Sequence, residues 1–349
     1  MAPPFRPPRR ALFGVTLAAL LLGRRFARAA GAPVKAGVIG AVSDANFYIA
    51  AAKGYDRDQG LEIELVNFKE ASQMVAPLST GELDVAGGAP SAALYNALAR
   101  GVGIRAVADK GSQPPLYGYT PLVVRKSLIA SGRYKSLADL KGLKLGSQSP
   151  GGAATALLDR ALRSAGLGLA DVEIAYMGHP QLAVAVDSGA IDAAFITEPN
   201  ATYAERLGRA VRVLRGDEVY PDQQLAVVMY SERFMKDRPQ DAVRFMIAYL
   251  RAARLYNEAL ANGRFAGPAA EEVIDILSRT TEVKDKSIYR DIIPAGCNPD
   301  GRLNVASMES DLDLFRSQGL IKGSIRAAEA VDTQFADAAV AKLGPYRRQ

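Results

Sequence analysis

One turn between a helix and a strand occurs twice in this chain of 349 residues. In segments 78–86 and 186–194, a helical stretch ends at a glycine, an apolar residue and an aspartate follow, and small residues begin a strand. Gly81 and Gly189 are predicted to take the left-handed backbone conformation that closes a helix, which other residues avoid. One such turn is common in α/β proteins, whereas two copies predict two related α/β lobes.

Around these turns, short apolar strands alternate with helices that end at glycines, a pattern typical of a sheet with helices on both faces. One series runs from about residue 33 to 110 and another from about 143 to 196. The predicted fold class is therefore α/β, with two doubly wound sheets in two lobes.

Extended segments at 122–125 and 226–230 flank the second series and are predicted to be hinge strands between the lobes. This places lobe two at 122–230, inserted into a lobe one made of 33–121 and 231–349. The last of these segments is mainly helical, and its aromatic residues at helical spacing should pack against lobe one.

The positive charge is concentrated at the amino terminus. The formal net charge is +6, but six of the 43 Lys and Arg residues lie in 1–29, where there is no acid. The remaining 37 basic residues are balanced by 37 acidic ones. The rest of the chain therefore lacks the excess of positive charge expected of a nucleic-acid-binding protein.

Residues 1–29 have the pattern of a cleavable export signal. An apolar run at 11–23 is too short to span a bilayer, and a small-x-small cleavage site ends at Ala29. Arg9-Arg10 resembles a twin-arginine signal, and an organellar transit peptide is the alternative. No cysteine near the cleavage site could accept a lipid, so we expect a soluble protein in the periplasm.

Two residue types occur only once. Cys297 is the single cysteine, so an intramolecular disulfide and a multi-cysteine metal site are excluded, and an ordinary partly buried thiol is expected. His179 is the single histidine and cannot by itself assemble a metal site or a familiar catalytic triad. No cofactor, metal or catalytic residue is predicted.

Several segments together carry a family resemblance. They are AAAKGY at 50–55, GLEIE at 60–64, STGELDVA at 79–86, LADLKGLKLG at 137–146 and SGAIDAA at 188–194. In order and spacing they are similar to the periplasmic substrate-binding proteins of nitrate, sulfonate and taurine importers, which are grouped with thiamine-pyrimidine precursor proteins. The resemblance implies a type II periplasmic-binding fold, a ligand held between the lobes and an inner-membrane ABC permease with its ATPase as the partner of a monomer.

Loops after strands provide the candidate site, because ligands of open α/β sheets bind at the carboxyl ends of the strands. In the loop at 147–155, N–H groups at a helix start and nearby hydroxyls suit an anion or a carbonyl group. That loop lacks the Gly-Lys-Ser/Thr ending of a nucleotide phosphate loop. The candidate ligand-binding residues are Ser43, Asn46, Phe47, Ser72, Ala89, Pro90, Tyr119, Gln148, Ser149, Gly151, Gly152, Ala153, Thr155, His179, Gln181 and Glu198.

Three of these features keep two interpretations each. The glycine-rich loop at 87–91 is either a plain turn or a place where the backbone approaches the ligand. His179 is either a ligand contact or a simple loop histidine. Glu198 either faces the cleft, where it would repel anions or bind a cationic group, or pairs with an arginine and shapes the pocket.

The predicted function is capture of a small organic or anionic molecule, such as a sulfonate, nitrate, a carboxylate or a pyrimidine-like compound, for an ABC importer. The alternative is an enzyme on the same fold. The resemblance extends to thiamine-pyrimidine synthases, but these use an active-site histidine and a cysteine-rich iron segment, and this chain has one cysteine. A periplasmic sensor or chemoreceptor subunit also stays open.

Overall fold

A computed structural model describes residues 32–348. The predicted export signal at 1–29 lies outside the described residues. Within the described part of the chain, no helix combines the length and apolar character needed to cross a membrane.

Ten strands form two sheets and two more form a short hairpin. The strands are β1 (Val34–Val38), β2 (Ile63–Asn67), β3 (Val85–Gly88), β4 (Arg105–Ser112), β5 (Leu122–Arg125), β6 (Lys144–Ser147), β7 (Glu173–Tyr176), β8 (Ala193–Phe195), β9 (Ala210–Leu214), β10 (Gln224–Tyr230), β11 (Leu260–Ala261) and β12 (Arg264–Phe265). The first sheet has the order β2-β1-β3-β10-β4 and the second the order β7-β6-β8-β5-β9.

The two sheets have the same plan. β1 pairs in parallel with β2 and β3, and β6 pairs in parallel with β7 and β8. Each sheet then receives one antiparallel strand, β10 in the first and β5 in the second. The predicted α/β fold with two sheets is confirmed, and both sheets are mixed rather than purely parallel.

Helices cover the sheets and form most of the carboxyl-terminal part. They are α1 (Ala45–Lys53), α2 (Tyr55–Asp58), α3 (Val75–Thr80), α4 (Ala92–Ala99), α5 (Lys126–Ala130), α6 (Ala153–Ser164), α7 (His179–Ser188), α8 (Asn200–Arg206), α9 (Gly216–Val219), α10 (Glu232–Asp237), α11 (Pro239–Glu258), α12 (Ala270–Thr280), α13 (Lys286–Asp291), α14 (Val305–Ser317) and α15 (Gln334–Leu343). Single 3-10 turns lie at Val42–Asp44, Ala71–Met74, Leu137–Leu140, Leu169–Asp171 and Ala327–Ala330.

The repeated turn has the predicted conformation in both copies. Gly81 ends α3 with φ 75° and Gly189 ends α7 with φ 79°, both in the left-handed region. The strands that follow, β3 and β8, are buried at every position. The duplicated motif therefore marks equivalent helix-to-strand turns in the two sheets.

The predicted hinge strands lie inside the sheets. β5 pairs with β8 and β9, and β10 pairs with β3 and β4. The assignment of 226–230 to lobe two is therefore wrong, because this strand belongs to the first sheet. A hinge and a buried sheet strand share the same extended apolar pattern, so the sequence did not distinguish them.

The chain passes between the sheets at 113–121 and at 215–223, termed here the first and second crossing. Their backbones pair: the Gln113 N–H donates to the Gln223 carbonyl at 3.1 Å, and the Asp222 N–H donates to the Gln113 carbonyl at 2.8 Å. Below, lobe one denotes the first sheet with α1–α4 and α10–α15, and lobe two the second sheet with α5–α8, while α9 belongs to the second crossing.

The aromatic stripe of α11 packs in the core of lobe one. Phe245, Tyr249 and Tyr256 are each 1% exposed. They belong to one apolar cluster with residues of β1 and α1. The expectation that this stripe is core rather than a ligand site agrees with this packing.

Candidate ligand-binding site

A small cavity lies between the two lobes, next to the carboxyl ends of several sheet strands. It offers about 50 Å³ to the centres of water-sized molecules. One water needs about 10–15 Å³ by the same measure, so the cavity can hold a small polar group. The predicted residues that line it are Ser43, Ser72, Ala89, Tyr119, Gln148, Ser149, Gly152, Ala153 and His179.

The other predicted residues do not line this cavity, and we revise their assignment. They are Asn46, Phe47, Pro90, Gly151, Thr155, Gln181 and Glu198. Each lies in or beside a predicted loop, but the position of a loop does not tell which way its side chains point. The contacts of these residues show where their side chains lie.

The first turn of α1 points into lobe one. The ring of Phe47 lies 5.3 Å from the ring of Tyr249 and 6.1 Å from that of Phe245. The amide nitrogen of Asn46 donates to the Tyr249 hydroxyl at 3.3 Å and to the Cys297 sulfur at 3.2 Å. Both side chains therefore support the core behind the cavity.

Residues beside the cavity hold the loop before α6 in shape. The Thr155 hydroxyl donates to the Ser149 carbonyl at 2.9 Å and lies 2.8 Å from the Ser147 hydroxyl. The Gly151 carbonyl accepts a hydrogen bond from the Ala92 N–H across the lobes at 2.8 Å. The Gln181 side chain is exposed. Thr155 and Gly151 thus shape the loop without lining the cavity.

Glu198 pairs with an arginine, which is one of its two predicted interpretations. Its carboxylate lies 2.9 Å from the Arg212 guanidinium and accepts hydrogen bonds from the N–H groups of Thr202 at 3.0 Å and Ile293 at 3.3 Å. Burial raises the pKa of Glu198, and the charge of Arg212 opposes that rise. Ile293 lies in lobe one, so the carboxylate joins the two lobes.

The start of α6 presents hydrogen-bond donors to the cavity. Gly152 is its N-cap and has no side chain to cap the helix. Ala153 and Ala154 follow it and line the cavity. The side-chain nitrogen of Gln148 is buried and has no hydrogen-bond partner among residues 32–348. A helix start with free donors favours an anion or another acceptor group.

His179 begins α7 and is buried at the cavity. Its Nδ1 atom has no hydrogen-bond partner among the described residues. Burial, and secondarily the positive charge of Lys110, lowers the pKa of the His179 imidazole to about 3. The imidazole is therefore neutral at neutral pH, and one ring nitrogen can accept a hydrogen bond from a ligand while the other donates one.

Lys110, at the end of β4, was missed by sequence reasoning although it lines the cavity. Its ammonium group donates to the Gly87 carbonyl at 2.9 Å and to the Asp44 carboxylate at 2.5 Å. A Cβ atom on Gly87 would lie 2.9 Å from that carboxylate and 3.0 Å from the lysine Cδ. Gly87 thus leaves room for the ion pair, and the adjacent Gly88 lines the cavity. The detectable signal was a charged pair, Asp109-Lys110, at the end of an apolar strand.

The cavity is also lined by Glu70, Thr120 and Thr197, which were not predicted. The Ser72 hydroxyl donates to the Glu70 carboxylate at 3.0 Å, and both residues line the cavity. The hydroxyl of Thr120, in the first crossing, lies 3.0 Å from that of Thr197 in lobe two. These contacts place acceptors beside the donors of α6, so the cavity suits a ligand with more than one kind of polar group.

Two further groups bear on chemistry at the site. Cys297 does not line the cavity, and burial raises the pKa of its thiol well above the usual value, which keeps the sulfur protonated. Within the described part of the chain, no cluster of three or more His, Cys, Asp or Glu side chains is placed to hold a metal ion.

Known proteins resemble this chain in sequence and in fold. A protein of Brucella abortus, named as a candidate binding protein, is 29% identical over 238 residues, which are 67% of each chain. The nitrate-binding protein NrtA of Synechocystis superposes with a TM-score of 0.74 at 14% identity, over 89% of each chain. The alkanesulfonate-binding protein SsuA of Xanthomonas axonopodis, solved with bound MOPS, gives 0.68 at 21% identity, over 87% of this chain and 99% of SsuA.

The fold is not restricted to binding proteins. The desulfurization enzyme DszB superposes with a TM-score of 0.60 at 16% identity, over 89% of this chain and 99% of the enzyme. At these identities the superpositions establish the shared type II periplasmic-binding fold. The family follows from the sequence: residues 42–261 match the family model described as NMT1/THI5 like. The predicted resemblance is confirmed, and the chain belongs to the NMT1/THI5-like family.

Proposed function

We propose that this protein is the solute-binding component of an ABC importer and holds a small polar molecule in the cavity between its lobes. The observation that carries the proposal is the set of donors around that cavity. The uncapped start of α6, the unpartnered amide of Gln148 and the ammonium group of Lys110 all face one enclosed space.

The donors favour a ligand with an anionic or strongly accepting head. A sulfonate, nitrate or carboxylate group offers several oxygens to the α6 N–H groups and the Gln148 amide. A pyrimidine-like ring can instead use the neutral His179, which both donates and accepts. The volume of the cavity restricts the fully enclosed part of the ligand to a small group. The nitrate and alkanesulfonate specificities of NrtA and SsuA are consistent with this class.

The proposed function also includes a cellular location, a transport partner and a movement of the lobes. Residues 1–29 direct export to the periplasm, and the mature chain, a monomer, delivers its ligand to an inner-membrane permease with its ATPase. The lobes close around the ligand by bending at the two crossings. Cell fractionation tests the location: replacing Arg9 and Arg10 by lysine should retain the protein in the cytoplasm, and normal export of that variant would contradict the twin-arginine signal.

The function is tested by the molecules that the protein retains. Native mass spectrometry of protein purified without denaturation should show a bound small molecule that denaturation releases unchanged. The same protein should be stabilised by one member of a panel of nitrate, alkanesulfonates, aromatic carboxylates and pyrimidines. A protein that retains nothing and responds to no member of the panel would contradict capture of this ligand class.

An enzyme on the same fold is the second candidate, and the buried His179 with its unpartnered Nδ1 is the feature that favours it. A pKa of about 3 makes this imidazole a weak base at neutral pH, and catalytic bases work best near the operating pH. Incubating the protein with its retained ligand separates the two functions. Recovery of intact ligand supports capture, and turnover supports catalysis.

A further inference from the structure

A buried carboxyl group lies where α6 of lobe two meets lobe one. Because the start of α6 lines the ligand cavity, this helix is called the binding helix below. Asp311, on α14, is 1% exposed. One of its carboxyl oxygens accepts a hydrogen bond from the Gln223 amide at 3.1 Å. The other oxygen is buried and has no partner among the described residues. This group takes no part in the ligand cavity described above.

Gln223 connects that carboxyl group to the start of the binding helix. Its side-chain nitrogen also donates to the carbonyl of Ala153, the first residue of α6, at 2.9 Å. Its side-chain oxygen accepts from the Gln113 amide at 3.3 Å, so the two crossings are joined at the same point. One buried amide thus contacts α14, α6 and the first crossing.

The surroundings of Asp311 change if the lobes separate. A groove of about 210 Å³ runs between α6 and α14, with Tyr220 of the second crossing at its side. Its walls carry Asp159, Arg160 and Arg163 from α6 and Ser310, Asp311 and Asp313 from α14. The Arg160 guanidinium bridges the groove to the Ser310 hydroxyl at 3.0 Å. Movement of α6 away from α14 would open this groove and admit water to Asp311.

We propose that Asp311 makes closure of the lobes proton-linked, so that closing takes up a proton and opening releases one. The proposal rests on the lobe movement of the proposed function. The geometric basis is the position of the Asp311 carboxyl group, which is enclosed by parts of both lobes and a crossing. Separation of the lobes would therefore admit water to this group. A carboxyl group that loses water on closure favours its neutral form.

The charged and titratable groups around Asp311 are consistent with this. Burial raises its pKa to about 7, against the hydrogen bond from Gln223, the neighbouring Tyr220 hydroxyl and the positive charge of Arg160, which all lower it. From α4, Tyr95 also faces the carboxyl group, which contributes to the raised pKa of that phenol.

The direction of the effect follows from linkage. A carboxyl group exposed by opening titrates near the ordinary aspartate pKa of 3.8, whereas the closed form holds its proton up to about pH 7. Closure is therefore favoured below pH 7 and weakens as the pH rises from about 4 to 7, by at most about tenfold per pH unit. Ligand affinity, which depends on closure, should weaken in the same direction.

The test measures the distance between the lobes as a function of pH, without added ligand. Spin labels on cysteines introduced at the exposed Ser164 and Ser324, in a Cys297→Ser background, report that distance by pulsed electron paramagnetic resonance. The long-distance population should grow between pH 5 and pH 8. Asp311→Asn should keep the short distance throughout, while Asp337→Asn, at an exposed position of α15 outside the groove, should behave like the parent protein.

A second variant keeps the test independent of the folding of Asp311→Asn. Arg160→Gln removes a charge that favours the ionised carboxylate, so its opening transition should lie at higher pH than that of Ser310→Ala, which loses the same bridge across the groove without a change of charge. Distances that do not change with pH in a protein that binds its ligand would overturn this inference alone, as would an unaltered pH response in Asp311→Asn. Lobes that keep one distance at every pH and with every ligand of the panel would overturn the lobe movement on which both proposals rest.

Discussion

The Lys110 ammonium and the Asp44 carboxylate form an ion pair 2.5 Å long, with both side chains at most 1% exposed. The second carboxylate oxygen of Asp44 accepts from the N–H groups of Ile39 and Ala41. The ammonium group also donates to Gly87, which leaves the third of its three N–H donors for the cavity that Lys110 lines. The pair therefore fixes the loop after β1 and a cationic donor at the same time.

Replacing Lys110 by methionine should destabilise the protein by about 3 kcal/mol, because it leaves a buried carboxylate without its counter-charge. Urea denaturation measures the change. The double variant Lys110→Met with Asp44→Asn should lose less than the sum of the two single changes. Lys53→Met, in a partly exposed pair with Glu272, is the control and should cost under about 1 kcal/mol. Equal losses for Lys110→Met and Lys53→Met would contradict the structural role of the buried pair.

Replacing Glu198 by alanine should cost about 3 kcal/mol, since it removes a buried charge partner of Arg212 and leaves two backbone N–H groups without acceptors. Glu205→Ala is the matched control. It removes the other carboxylate that pairs with Arg212. The Glu205 side chain is a third exposed, so its loss should cost about 1 kcal/mol. Thermal and urea unfolding of both variants distinguish them. A smaller loss for Glu198→Ala than for Glu205→Ala would be inconsistent with a buried link between the lobes.

His179 should affect stability only in acid. Its pKa is about 3 in the folded protein, against 6.5 for an ordinary exposed histidine, so the unfolded chain binds the proton more readily. The folded state therefore loses stability as the pH falls from about 6.5 towards 3, by at most about 1.4 kcal/mol per pH unit. His179→Gln lacks this titration, so its stability relative to the parent should rise between pH 7 and pH 4.5.

The comparison with His179→Gln is needed because other buried groups titrate in the same range. Burial raises the pKa of Asp109 to about 6 and that of Asp311 to about 7, and these shifts make stability fall as the pH rises. Both contributions are present in the variant and the parent, so their difference isolates the histidine. A constant difference across the pH range would show that His179 is accessible to protons in the folded state.

The architecture was readable from the sequence because its signals are local. Gly81 and Gly189 predicted equivalent turns, because each helix end requires a left-handed backbone conformation that glycine adopts readily. The loop before α6 was found in the same way, since a strand, a Ser- and Gly-rich turn and a helix follow one another directly. The position of this loop was therefore predictable from local sequence, although Gly151 and Thr155 do not line the cavity.

The failures have a different origin. Phe47 was expected in the pocket because it follows a strand, yet α1 turns it towards Phe245 and Tyr249, nearly 200 residues along the chain. Lys110 was missed because its partner Asp44 lies 66 residues away in the sequence. Without a known partner, a lysine near the end of a strand is expected to point into solvent. Whether such a side chain points into the cavity or into the core is decided by packing between distant segments. A local sequence pattern does not contain this information.

The most direct test of the account is the stabilisation of the protein by its ligand in the parent and in Gly152→Asp. Gly152 has φ −97°, so another residue fits the backbone, and the nearest obstacle to a Cβ atom is the Ser149 hydroxyl oxygen at 2.9 Å. Aspartate is a favourable N-cap, so the variant should fold. Its carboxylate would occupy the place of an anionic ligand group. Gly168→Asp is the matched control: it lies at the start of another helical turn with φ −132°, and its Cβ atom would meet only the Asp171 carboxylate oxygen, at 4.0 Å.

With the retained ligand at about a hundred times its Kd, the parent and Gly168→Asp should gain about 2.7 kcal/mol, a rise of several degrees in Tm. Gly152→Asp should melt normally without ligand and show no rise in Tm when the ligand is added. A full ligand-induced rise in Gly152→Asp would contradict the placement of the ligand at the start of α6.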